Sequence, residues 1–194
     1  SELTGLGQAA AAPMPGPAGV SQRAVALDAT ATSASIIATR AVGNAVEFSR
    51  IALSPAGFGA SSPLGSVDVG GPATYALRNV EVNADGSAVL ALLTRGGILP
   101  SLVALWPAGV TTPVVTDLGT ASATDAVLPA KGPYAFIVVR PDPSAATVKD
   151  KVMAWTGSAW QRIAKVRVCG EAEPVLAVSA RGTTKLPLSK PGTP

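Results

Sequence analysis

Four times along the chain an apolar strand runs into arginine, turns, and comes back as a second apolar strand. The clearest copy is Ala88-Val-Leu-Ala-Leu-Leu-Thr-Arg95, returning as Leu102-Val-Ala-Leu-Trp106 before Pro107-Ala108-Gly109. Another is Ser35-Ile-Ile-Ala-Thr-Arg40, returning as Ile51-Ala-Leu-Ser-Pro-Ala-Gly57, so the Thr-Arg pair and the Pro-Ala-Gly triplet recur in the same order. A third runs from Tyr134 to Arg140 and returns as Lys151-Val-Met-Ala-Trp-Thr-Gly157; a fourth, more divergent, runs from Val175 to Arg181 and returns from Leu186 to Gly192. The arginines stand at 40, 95, 140 and 181, in steps of 55, 45 and 41. Steps of about 40 to 50 residues are the length of one four-stranded propeller blade. Each such unit has apolar faces that it cannot bury alone, so the units must stack. The expected fold is all-β, a four-unit propeller-like repeat domain of antiparallel meanders. A β-sandwich is the runner-up, because meanders with turns every eight to twelve residues build sandwiches too.

Within 194 residues, 47% are apolar and only 14% charged, which excludes disorder as a description of the whole chain. Aromatic residues supply 4%, so Val, Leu, Ile and Ala must fill the interior, and such side chains suit strands packed face to face. No run of eighteen apolar residues occurs, and no membrane-spanning helix is expected. A formal charge of +3 from 15 basic and 12 acidic residues is too small and dispersed for a nucleic-acid partner. The single cysteine, Cys169, has no internal disulfide partner and reads as a small buried residue at a strand end.

Residues 1–22 carry Ala9 to Ala12 and then Pro13, Pro15, Gly16, Pro17 and Gly19, the composition of a linker or extended arm. Residues 23–190 form one β-repeat domain, with units at about 23–70, 78–118, 125–164 and 165–190. The first unit is expected to hold strands at 24–28, around 36–37, 46–53 and 67–69, the last after a Gly, Ser and Pro loop. In the second, Val80-Glu-Val-Asn alternates as a half-buried strand does, and Asp85-Gly86 signals a tight turn before strands at 88–94, 102–106 and 112–117. The third has strands at 125–128, 134–140, 152–155 and 160–163, with turns at Lys131-Gly132 and Thr156-Gly157-Ser158. Strands at 165–169, 175–180 and 184–188 make up the fourth, which lacks a last strand. A terminus, Glu2 to Leu6, or a second chain is the candidate to supply it and so remove an open sheet edge.

With Asn83-Ala-Asp-Gly-Ser-Ala-Val-Leu-Ala-Leu-Leu and Leu102-Val-Ala-Leu-Trp-Pro-Ala-Gly, the second unit resembles blades of the TolB-like and WD40-like bacterial β-propellers. The Gly-His element of true WD40 repeats is missing, since the chain has no histidine. The resemblance implies a scaffold that binds proteins or ligands at the ends of its blades, and it carries over no catalytic residue. A shorter stretch, Val152-Met-Ala-Trp-Thr-Gly-Ser-Ala-Trp-Gln-Arg-Ile163, is similar to hairpins of bacteriophage tail and virion proteins.

Without histidine, a histidine-dependent serine triad and a histidine-ligated metal are excluded, and one cysteine excludes a zinc-thiolate cluster within the chain. Asp142 with Asp150, and Glu171 with Glu173, are carboxylate pairs by sequence, both in expected loops and both read as solvated charge. Gly70-Gly71 and Gly96-Gly97 lack the lysine of a phosphate loop and read as turns. No cofactor and no catalytic residue is expected.

Candidate binding residues come from the repeats. If Arg40, Arg95, Arg140 and Arg181 close equivalent strands, they stand at one end of the domain, where a ring of guanidinium groups would suit an anion or acidic segment. The plainer alternative has each arginine capping its own unit by bonding local loop carbonyls. Trp106, Trp155 and Trp160 form a second set, either covering the core or offering an aromatic platform. The expected function is therefore a non-enzymatic binding or assembly module, with a protein partner or copies of itself. The alternative is a bacteriophage virion or surface-filament subunit that assembles through residues 1–20. An extracellular, periplasmic or virion location is favoured over the cytoplasm.

Overall fold

The computed structural model describes Gly16 and residues 18–27, 34–84, 86–129, 135–145 and 149–167. Most of the expected arm, nearly all of the fourth unit, Arg181, Cys169, Glu171, Glu173, Asp85 and the Lys131-Gly132 turn lie outside the described residues. Within them the chain is all-β, with twelve strands in three four-stranded antiparallel sheets, each made from one continuous stretch of sequence.

The first sheet runs in order through β1 (Ser21–Leu27), β2 (Ala34–Val42), β3 (Ala45–Ser54) and β4 (Gly57–Asp68). The second holds β5 (Leu77–Val82), β6 (Val89–Leu93), β7 (Leu102–Trp106) and β8 (Val114–Asp117). The third holds β9 (Ser122–Val127), β10 (Ala135–Arg140), β11 (Lys149–Trp155) and β12 (Trp160–Arg167). A single 3-10 turn, Ala73–Tyr75, links the first sheet to the second.

Two expected elements differ. The Gly, Ser and Pro stretch before residue 67 is not a loop but most of β4, bulged against β3 at two places. Small polar side chains are tolerable there because β4 is an edge strand, and its proline forgoes no ladder bond that an inner strand would need. Residues 165–167 complete β12 rather than begin a fourth unit. They pair with Lys149 to Lys151, ahead of the expected start of β11 at 152, so both arms of one hairpin lengthen at its open end.

The second sheet decides how the core is arranged. Its middle strands, Val89–Leu93 and Leu102–Trp106, are buried at every position, as strands covered on both faces must be. Val89, Ala91, Leu93, Leu102, Ala104 and Trp106 pack towards the first sheet, against Ile37, Val46, Phe48, Leu64 and Val67. Leu90, Leu92, Val103 and Leu105 pack the other way, against Ala123, Ala126, Ile137, Val139 and Trp155 of the third sheet. The three sheets thus form a stack with the second in the middle. Fully burying a Val, Leu or Ile side chain stabilises by about 1.5–3 kcal/mol, so these two seams dominate the stability of the described region.

The outer faces carry apolar clusters as well. Ile36, Ala38 and Ile51 form a buried cluster on the far side of the first sheet, and Phe136, Val138, Val152 and Ala154 form another on the far side of the third. At the strand edges, β1 lies against β5 and β5 against β9, so the first strands of successive sheets are neighbours.

Candidate functional site

Three of the four repeat arginines are described, and each stands within two residues of the end of the second strand of its sheet. Arg40 is in β2, Arg95 follows β6 by two residues, and Arg140 ends β10. The turns that follow these strands, and the connections between sheets, lie at one end of the stack. There Val69 and Ala73 donate to Asn44 and Gly43 carbonyls, Thr94 to Ala76, and Leu118 to Ser101.

Each arginine is bonded to a carboxylate of its own sheet. Arg40 Nε and Nη2 both donate to Oε2 of Glu47, at 3.0 and 2.7 Å, directly across the β2/β3 ladder. Arg95 donates to Asp117 at the end of β8. Arg140 Nε and Nη2 donate to the two carboxylate oxygens of Asp150, at 3.1 and 3.2 Å. This is the plainer arrangement with one change, since the acceptors are strand carboxylates rather than loop carbonyls.

The three guanidinium groups are not related by one rotation. Alternation along β2 puts Arg40 on the face of Ile36 and Ala38, away from the second sheet, and alternation along β10 puts Arg140 on the face of Phe136 and Val138, also away from it. A rotation that carries the first sheet onto the third would turn an outward side chain into one facing the middle. The tryptophans do obey it. Trp106 closes β7 on the side of the first sheet and Trp155 closes β11 on the side of the second, so each fills the seam to the preceding sheet.

Neither of these tryptophans is exposed. Trp106 is fully buried, its ring 4.6 Å from that of Phe48, and its indole N–H donates to the Leu64 carbonyl at 2.7 Å, tying the second sheet to β4 of the first. Trp155 is packed edge-on by half-buried Trp160 at 5.6 Å, and the Trp160 indole nitrogen is buried without a partner among the described residues.

The proposed pairing of Asp142 with Asp150 needs correction. Asp150 is not a loop residue; it is a fully buried member of β11, taken up by Arg140. Asp142 does lie between strands, where Ser144 N–H and O–H both donate to it and hold its carboxyl below the usual range.

A different acidic neighbourhood escaped the sequence. Glu81 of β5 and Asp125 of β9 stand on adjacent first strands, where the Asp125 charge acts on Glu81. Burial raises the Glu81 carboxyl, the Asn79 side-chain amide bond at 3.1 Å opposes the rise, and the Asp125 charge adds to it. The alternation Val80-Glu81-Val82 fixed which side Glu81 leaves its strand. Nothing local reports that β9 lies beside it.

On its outer face the first sheet also carries a cavity of about 390 Å3, lined by Arg40, Glu47, Ser49, Ser61, Pro63 and Ser66 among the described residues. At the end of the stack that carries the arginines, four large apolar side chains among the described residues are open to solvent: Tyr75 at 82%, Ile98 at 83%, Leu99 at 49% and, at the end of β2, Val42 at 42%. Among the described residues no group of three or more His, Cys, Asp or Glu side chains could hold a metal, and no helix is long and apolar enough to cross a membrane. Comparison of the chain with protein-family models and with curated proteins finds no match.

Proposed function

We propose that this chain is a non-enzymatic protein-binding module, propeller-like in architecture, that receives its partner at the arginine-bearing end of the stack. The observation that carries the binding reading is the exposure of Tyr75, Ile98 and Leu99 on two connections whose roots are joined by the Thr94 to Ala76 bond. Tyrosine and large aliphatic side chains within a charged rim are the composition of an interface centre, and Arg95 and Asp117 supply such a rim, each about half exposed. The blade reading draws support from four-stranded sheets that follow one another in chain order, from adjacent first strands, and from two tryptophans filling successive seams.

The test compares the purified chain with a Tyr75→Ala, Ile98→Asp double variant as baits in quantitative co-purification from the source cells. A partner held by wild type and lost from an equally stable variant supports the reading; identical partner sets for both remove it. Light scattering with and without residues 1–20 tests the virion or filament alternative, which requires concentration-dependent assembly that disappears with those residues.

A further inference from the structure

We propose that the cavity on the outer face of the first sheet binds a single neutral sugar ring. The inference is independent of the partner-binding end, because it rests on other side chains with another chemistry.

Charge balance comes first. Arg40 spends Nε and Nη2 on one oxygen of Glu47, so the pair brings no net charge to the cavity. An anion would gain from the guanidinium and lose to the carboxylate, and a cation the reverse. Neither recovers the free energy of leaving water. A neutral ligand avoids that loss.

Hydrogen-bonding capacity comes next. The one-oxygen geometry leaves Glu47 Oε1 as an open acceptor and Arg40 Nη1 as an open donor, with no other bond to either residue among those described. Ser49, Ser61 and Ser66 add three hydroxyls that make no hydrogen bond there, and each can donate and accept. A charged acceptor, a charged donor and several hydroxyls in one recess match vicinal hydroxyls, which donate to the carboxylate while accepting from the guanidinium. Bonds to ionised partners are about twice as strong as neutral ones, which gives such a ligand its foothold.

Shape and walls complete the match. A volume of about 390 Å3 lies near the lower end of the range for small-molecule pockets, roughly 300–1,000 Å3, and so suits one ring rather than an extended chain. Val20 and Pro63 supply apolar wall for the C–H face of a pyranose, whose opposite edge carries the hydroxyls. The floor is rigid, because the pair sits directly across the β2/β3 ladder with Phe48 locked beneath it against Trp106.

The experiment titrates the isotope-labelled full chain with methyl glucoside, methyl galactoside and methyl mannoside, and with methyl glucuronide and glucosamine as charged probes, following backbone amide shifts. At least one neutral glycoside is expected to shift the amides of Glu47, Ser49, Ser61 and Ser66 and to saturate with a Kd on the order of 1 mM, the charged probes binding roughly tenfold more weakly. Ser61→Trp fills the cavity from an exposed position on an edge strand and is expected to abolish the response while leaving the rest of the spectrum in place. Glu47→Gln removes the negative charge and is expected to shift preference towards the glucuronide. The proposal is overturned if no neutral glycoside moves these amides, if a charged probe binds wild type more tightly than every neutral one, or if Ser61→Trp folds normally and binds as wild type does.

Discussion

Three arginines recur at one point of the repeat, yet the burial of their partners gives them different weights. The Arg40–Glu47 and Arg95–Asp117 pairs are partly exposed on both sides, and exposed pairs contribute about 0–1 kcal/mol. Asp150 is fully buried, and removing the partner of a buried charge costs about 3–5 kcal/mol. Urea denaturation of Arg40→Met, Arg95→Met and Arg140→Met is therefore expected to show a large loss only for the last; equal losses would contradict the ranking. Glu81 gives a second test. Its carboxyl is raised in the folded chain, so the folded state binds the proton more tightly than the unfolded state, whose value is near 4.5. Stability must then fall as pH rises from about that value through the folded one. Glu81→Gln is expected to be more stable than wild type at pH 7 and no different at pH well below 4.5, where the Glu81 carboxyl is protonated in the folded and the unfolded state alike. A stability difference that does not change with pH would show that this carboxyl does not titrate as described.

Elements in this protein are joined by turns that approach neighbouring sheets closely. Gly86 links β5 to β6 with a φ of 72°, and a Cβ placed on it would lie 2.4 Å from the Cβ of Ser35 in the first sheet. Both the left-handed backbone and the contact exclude a side chain, because Ser35 sits on a paired strand and cannot swing aside. Gly86→Ala is expected to destabilise by about 1–3 kcal/mol in thermal or urea unfolding, and Ser35→Gly in the same chain to recover only the steric part. Full recovery would mean that the backbone conformation carries no strain. The Asp-Gly turn was legible as a tight turn. That it abuts another sheet was not, since Ser35 is remote in sequence. The same limit applied to β4, where Gly, Ser and Pro read as loop because their propensities describe isolated backbone, whereas pairing with β3 and the Trp106 bond to Leu64 hold them extended.

For the whole molecule, the decisive fact is that each of the three described sheets carries a buried apolar cluster on both faces. Val103→Asp, which puts a charge into the buried seam between the second and third sheets, is expected to lower the melting temperature and expose apolar surface to a dye such as ANS; an unchanged melting curve would contradict the stacked arrangement. Apart from β4 and the far end of β12, the identity of the strands and their meander order were determined by the sequence alone. Period-two alternation, turn residues and unbroken apolar runs such as Val89–Leu93 are local signals acting over a few residues. The repeat of Thr-Arg and of tryptophan also announced that units recur. Only tertiary structure decided which face of each unit meets which neighbour. It sent Arg40 and Arg140 outward, paired Glu81 with Asp125, drew Asp150 into a strand, and left a polar cavity on the first sheet. These contacts join residues far apart along the chain, and whether a side chain finds its partner across such a distance depends on how whole sheets pack, a quantity no short stretch of sequence contains.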